Sequence, residues 1–262
     1  MGSIDKKHVY SYSQLEQFDQ CPYSFYLQRI EEGNKEMLLE NSFAQQGTLI
    51  HNIIDRWAKG QITKEQMPDE YVSRYPDEVD NNWPPMLASK GYASKTYDQG
   101  LDYLINFDEF KGFEVLDSEV SFNVKFADRN FVGIIDMILK DKQSGELIVL
   151  DHKSKSFSSF KKEENNMYRQ QLLYSKCIKK RYRKWPDRLM FNLFKENMKV
   201  ERPFNELQYK HTEDWARDIV AKIETFDMFD WYETKKGAES GKDFFCNYIC
   251  QCRGLCPNGH SR

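Results

Sequence analysis

Asp151 and Lys153 stand two residues apart in the run LIVLDHKSKS, residues 147–156. Four apolar residues lead straight into the acid, which is the pattern of a buried strand ending on charge. Side chains alternate along a strand, so the carboxylate and the ammonium share one face. A second strand-like run, RNFVGIIDMILKD, precedes this one and is joined to it through the turn sequence DKQSGE. If that turn is centred between Gln143 and Ser144, positions summing to 287 face each other, and Asp136 and Asp151 form such a pair. Their Cβ atoms would then lie about 5 Å apart. Two close carboxylates in an otherwise apolar hairpin repel each other, and a divalent cation between them removes the conflict. Mg²⁺ is suited to one or two carboxylates completed by water and phosphate oxygens. An ammonium beside it can orient a metal-bound water and stabilise charge that develops on phosphorus. The plainer alternative is that Asp151 ends a strand and Lys153 is solvated, because D-x-K is short and common.

Two other places carry candidate groups. GTLIHNIIDRW sets His51 beside the apolar positions of an amphipathic helix, where a lone histidine is ordinarily a core or boundary residue. YRQQLLYSK sets Gln170 and Tyr174 four residues apart, hence on one helical face.

The elements that must position these groups follow from pattern. SYSQLEQFDQCPYSFYLQRI reads as a helix start, with Ser13 as cap and Glu16 completing a capping box. SFAQQGTLIHNIIDRWAKG has the helical period in Leu49, Ile53, Ile54 and Trp57, with Gly60 as its stop. Residues 61–95 are polar and proline-bearing, which predicts short helices and loops, and TYDQGLDYLINFDEFKG is helical again. Three strands follow, FEVLDSEVSFNV, RNFVGIIDMILKD and ELIVLDHKS. A helix over about 164–182 comes next, then the strand RLMFNLF and the helix TEDWARDIVAKIETFDMF. This order predicts an α/β protein with a mixed sheet and helices against it.

The chain of 262 residues, 40% hydrophobic and 30% charged, suits one large domain with an insertion and a substantial core. No apolar run has the length of a membrane span, and MGSIDKKHVY lacks the apolar stretch of a secretory signal. A cytoplasmic protein without membrane contact is therefore expected. The net charge of −3 argues against indiscriminate coating of nucleic acid, so any such contact needs a local patch. KCIKKRYRKWPDR, residues 176–188, offers one, with seven Lys or Arg in thirteen positions.

Together, and in this order, these pieces resemble the RecB-like branch of the PD-(D/E)XK nuclease superfamily. SQLEQFDQCPYSFYLQRI is similar to its N-terminal helix and GTLIHNIIDRW to its histidine motif. VGIIDMIL resembles its G-x-x-D strand through Gly133 and Asp136. IVLDHKSKS resembles its D/E-x-K strand, and QQLLY its Q-x-x-x-Y helix. The resemblance runs from about residue 11 to 256, interrupted by an insertion over 61–118. It implies a restriction-endonuclease-like fold in a single domain. It also implies metal ligation by Asp136, Asp151, the His152 carbonyl and His51, with Mg²⁺ or Mn²⁺. Lys153 would be the catalytic lysine, and Gln170 and Tyr174 would support the site and position the substrate backbone. Some members carry an acid on the first strand; for Glu119 an ordinary solvated strand position is the favoured reading.

Four of the six cysteines crowd the segment CNYICQCRGLC, and Cys21 precedes Pro22 near the start. Clustered thiols in a cytosolic chain point to a metal, and four thiolates suit either tetrahedral Zn²⁺ or an iron–sulfur cluster. The resemblance, to AddB-type helicase–nucleases and to nucleases of CRISPR adaptation, favours a 4Fe-4S cluster. Its ligands would be Cys21, Cys246, Cys250 and Cys256, with Cys252 as substitute; the spacing departs from the usual C-x2-C-x5-C tail. Such a site would tie together segments more than 220 residues apart. Cys177, one turn beyond Tyr174, reads as a small buried residue.

The function implied is a metal-dependent DNA exonuclease acting on single strands or ends, in recombination, repair or phage DNA processing. No G-x-x-x-x-G-K-[ST] loop is present, so a helicase or recombination partner would be a separate protein. Two other readings remain open: a silent nucleic-acid-binding accessory of the same fold, and a zinc-stabilised interaction module.

Overall fold

The structure, a computed structural model, describes residues 8–31, 33–39, 41–80, 83–227, 230 and 244–257. The polar N-terminal stretch up to residue 7 lies outside them, as do Met228 and Phe229 at the end of the last expected helix.

The chain runs β1 (Val9–Tyr10), α1 (Tyr12–Gln20), α2 (Pro22–Arg29), α3 (Ser42–Ala58), α4 (Met67–Glu78), α5 (Pro85–Ser89) and α6 (Tyr92–Ile105). It continues through β2 (Phe113–Phe126), β3 (Arg129–Asp141), β4 (Leu147–Lys153), α7 (Phe157–Tyr182), β5 (Arg188–Leu193), β6 (Met198–Pro203) and α8 (Glu206–Thr225). The six strands make one mixed sheet, in the order β1-β3-β4-β5-β6 with β2 also on β3. This is the α/β class expected. β3 and β4 are antiparallel, β4 and β5 parallel, β5 and β6 antiparallel.

Several boundaries differ from the sequence reading. The first helix is capped by Ser11, not Ser13. The Ser11 hydroxyl accepts from the Gln14 N–H while the Gln14 side chain accepts from the Ser11 N–H. The helical stretch also breaks at Cys21, which is extended (φ −158°, ψ 97°) because a residue before proline is disfavoured in the α region. Pro22 then starts α2, where its missing N–H is harmless. α7 starts at Phe157, earlier than expected, from the cap Ser156. Its first turns carry one buried residue, Phe160, too few to show a period. β1 is too short to be read, and β6 is a polar edge strand with no buried residue.

The chain forms two compact units. The larger comprises residues 42–124 and 133–212. Its main core lies where α3, α4 and α6 cover one face of β3, β4 and β5. Leu49, Ile53, Tyr71 and Phe107 pack there with Met137, Ile148, Leu150 and Met190. On the other face, Phe160 and Tyr168 of α7 stack edge-on against Phe191 of β5, at 5.0 and 4.9 Å. Buried Gln171 ties α7 to the sheet by donating to the carbonyls of Val149 and Met190.

The smaller unit comprises residues up to 41, 125–132 and 213 onward. β1 pairs in parallel with the first residues of β3, Tyr10 opposite Phe131. Arg129 makes a two-pronged ion pair with Glu224, which also accepts from the Tyr10 hydroxyl. The C-terminal cysteine segment docks on α2 and the strand of chain after it. The Leu39 N–H donates to the Gln251 carbonyl at 2.9 Å, and Gln28 donates to the Gln251 side chain at 3.2 Å. Among the described residues no helix is long and apolar enough to cross a membrane.

Candidate active site

The hairpin register is the one expected. Met137 faces Leu150 and Ile138 faces Val149, so the next pair outward is Asp136 with Asp151. At that point the ladder changes character: the Asp136 carboxylate, not a carbonyl, accepts from the His152 N–H at 2.7 Å. Asp151 is buried and its Oδ2 lies 2.7 Å from the Lys153 ammonium. Lys153 also donates to Gln170 at 2.8 Å, and Gln170 donates to the Tyr174 hydroxyl at 2.6 Å. Asp151, Lys153, Gln170 and Tyr174 thus form one polar chain from β4 to α7. Gly133 makes room for it: a Cβ there would stand 2.7 Å from the Phe122 ring, which packs on Tyr174 at 5.3 Å.

His51 reaches the same place from α3. Its Nδ1 lies 3.5 Å from the Asp136 carboxylate. Burial, with Lys153 adding to it against the pull of Asp151 and the His152 backbone, lowers its pKa to about 4. The imidazole is therefore neutral near pH 7 and able to ligate a metal. The His152 backbone faces the site on both counts, its N–H on Asp136 and its carbonyl acting on His51. The His152 imidazole is turned to another task, hydrogen-bonding Asn192 at 2.8 Å, which also donates to Tyr103.

The structure adds a residue that sequence reasoning had placed in solvent. Glu119 joins His51 and Asp136, with one ligand atom from each within 4.8 Å of the others. It is a non-glycine residue with φ +49°, an uncommon conformation inside a strand. Nothing in the local sequence EVLDSEVSF marks that departure from alternation.

Electrostatics point the same way. Burial, opposed by Lys153 and the His152 N–H, raises the Asp136 carboxyl to about 6. Burial and the neighbouring Asp136 raise Asp151 to about 6 against the pull of Lys153. Burial, Asp136 and Asp55 raise Glu119 to about 7. Three desolvated carboxyls face Lys153, with Lys59 acting on Glu119, and a divalent cation supplies further positive charge. His51, Glu119 and Asp136 offer a nitrogen–oxygen donor set that suits a hard divalent cation. Such an ion supplies Lewis acidity toward a phosphoryl oxygen and lowers the pKa of a bound water. The chain's own part is to hold Lys153 in place through Asp151 and Gln170 with its ammonium toward the same centre.

All six cysteines are free thiols. Cys21, Cys246, Cys250, Cys252 and Cys256 line a single pocket with Tyr23, Leu27 and Phe245. Four or more thiols in an apolar surround fit a thiolate-bound metal group. Cys252 is the most buried, and its thiol donates to the Ser24 carbonyl at 3.5 Å. Cys177 is buried on α7, as expected, and burial raises its thiol pKa.

Three of the seven basic residues of 176–188 are paired within the protein, while Lys176, Lys179, Lys180 and Arg183 form no ion pair among the described residues. Arg181 pairs with Asp117, Lys184 with Asp187, and Arg188 with Asp141, Glu146 and Glu201. Lys179 sits over the Trp185 ring at 5.2 Å.

A strand pair bearing Asp136, Asp151 and Lys153, backed by a glutamine helix, defines a class of phosphodiester hydrolases. The sequence profile of the PD-(D/E)XK nuclease superfamily matches residues 9–257. The chain belongs to this superfamily, and its mixed sheet flanked by helices is the restriction-endonuclease-like fold. Membership makes it a metal-dependent nuclease with a nucleic-acid substrate. No curated protein matches the chain.

Proposed function

We propose that the protein is a RecB-like DNA exonuclease that acts on single strands or DNA ends with Mg²⁺ or Mn²⁺. The observation that carries this reading is the convergence of His51, Glu119, Asp136 and the Asp151–Lys153 pair at one end of the β3–β4 hairpin. In this reading Asp136, Asp151, His51 and the His152 carbonyl hold the cation, Lys153 is catalytic, and Gln170 and Tyr174 orient Lys153 and the substrate backbone. Residues 1–262 act as one nuclease domain with an insertion over 61–118, helical through α4–α6 as far as Ile105 and passing into β2 from Phe113. A 4Fe-4S cluster on Cys21, Cys246, Cys250 and Cys256 ties the N-terminal helices to the C-terminal segment, as in AddB-type proteins, and its role is structural. The pocket that these thiols share with Cys252 supports a cysteine-held metal group; Cys252 is the substitute ligand and Zn²⁺ the alternative metal. The protein works in the cytoplasm, in recombination, repair or phage DNA processing, beside a separate helicase or recombination protein.

Cleavage of linear and covalently closed single-stranded DNA of the same sequence tests the exonuclease reading. Loss of linear DNA alone supports it, and equal loss of both overturns it in favour of an endonuclease. Iron, sulfide and zinc content with the visible absorption spectrum tests the cluster; zinc without sulfide overturns it.

A further inference from the structure

Phe43, Gly47 and His51 recur every four residues on α3, so they lie along one side of the helix. His51 is at the metal centre. A Cβ on Gly47 would lie 3.9 Å from the Ser154 hydroxyl, just after Lys153. Phe43 stands about 12 Å from His51 along the helix axis, given the α-helical rise. Its ring is fixed edge-on against Trp83 at 4.8 Å. The Lys195 ammonium sits over that ring, 4.8 Å from its centroid. Lys195 belongs to the turn Phe194–Glu196 that leaves β5, and Leu193 of β5 is opposite Lys153 of β4. Lys195 and Lys153 therefore lie at the same end of neighbouring parallel strands.

The charge around Lys195 is unbalanced. Burial and then the neighbouring Lys95 of α6 lower its pKa to about 8, and no carboxylate is among the influences on it. Among the described residues neither Lys95 nor Lys195 forms an ion pair. Lys95 lies on α6, which packs against the Phe194–Glu196 turn that carries Lys195, and like charge beside a partly desolvated ammonium disfavours the protein without a ligand. An anion shared between them reverses that balance.

We propose that Lys195 and Lys95 form a phosphate subsite for the nucleic-acid strand, a few nucleotides from the bond that is cut, with Phe43 holding Lys195 in position. The ligand is a backbone phosphodiester, so the contact fixes register and carries no base preference. This inference rests on the nuclease reading above.

The test measures binding of a fluorescein-labelled, phosphorothioate-linked thymidine oligonucleotide in Mg²⁺ across a range of NaCl. Wild type is compared with Lys95→Gln, Lys195→Gln, the double variant and Lys195→Arg, with thermal melts as a check of folding. Each lost phosphate contact lowers the slope of log affinity on log salt by about 0.7 for a single strand. The double variant is expected to bind several-fold more weakly with a shallower slope, and Lys195→Arg is expected to keep the wild-type slope. Lys95 is exposed, so Lys95→Gln remains informative if Lys195→Gln is unstable. Unchanged affinity and slope in the double variant would overturn the subsite and leave the nuclease reading standing. No binding by wild type would overturn both.

Discussion

Asp136→Asn separates the electrostatic strain of the metal centre from its chemistry. The Asp136 carboxyl titrates near 6 in the folded protein, chiefly through burial, against about 3.9 in an unfolded chain. A folded-state value above the unfolded one means stability present at low pH and lost as pH rises, here from about 4 to about 6. The displacement corresponds to about 3 kcal/mol at neutral pH. Asparagine removes the charge and can still accept the His152 N–H that Asp136 accepts at 2.7 Å. Without divalent cation, Asp136→Asn is therefore expected to gain on wild type by about 3 kcal/mol between pH 4 and pH 7.5. For a unit of this size that is roughly 6–12 °C in melting temperature. Mn²⁺ at one hundred times its Kd closes the gap, stabilising wild type by about 2.7 kcal/mol and the variant far less, and at one thousand times its Kd, with about 4.1 kcal/mol, it reverses the order. The assay is thermal or urea unfolding of both proteins at pH 4, 5.5 and 7.5, with EDTA or Mn²⁺. A difference that does not change with pH, or equal stabilisation of both proteins by Mn²⁺, would refute the reasoning.

Three further outcomes are expected. Gly133→Ala places a methyl 2.7 Å from the Phe122 ring, so melting should show a loss of about 1–3 kcal/mol, and an unchanged melt would contradict that packing. Gln171→Ala removes the donor to two buried carbonyls, Val149 and Met190, with an expected loss of about 1–3 kcal/mol by urea unfolding. Cys21→Ala should release the bound metal and lower thermal stability while Cys177→Ala leaves metal content unchanged; retention of metal by Cys21→Ala would sink the cluster assignment.

The hairpin was legible because its signals are local. Alternation in β4, the turn DKQSGE and the sum rule placed Asp136 opposite Asp151 before any coordinates, and the observed pairs Met137–Leu150 and Ile138–Val149 keep that sum. Gln170 and Tyr174 were legible as a helical pair, and their bond to each other follows from that spacing, whereas the bond of Lys153 to Gln170 joins β4 to α7 across the tertiary fold. Glu119 was not legible, because its approach depends on a left-handed backbone at φ +49° within a strand, which alternation cannot express. The fate of the basic run was hidden for a different reason. Asp117, Asp141 and Glu201, which pair with Arg181 and Arg188, lie far away in sequence, so only tertiary structure shows which charges of the run are paired and which, as at Lys176, Lys179, Lys180 and Arg183, form no ion pair among the described residues. The start of α7 and the edge strand β6 were missed because neither buries enough apolar residues to show a period.

The account stands or falls on cleavage by the Asp136–Asp151–Lys153 centre. The direct measurement is hydrolysis of end-labelled single-stranded and duplex DNA with Mg²⁺, Mn²⁺ or EDTA, by wild type and by Lys153→Ala. The expected result is metal-dependent cleavage that disappears in EDTA and in the variant, with the variant still folded. Cleavage that persists in Lys153→Ala, or no cleavage by metal-loaded wild type, would contradict it.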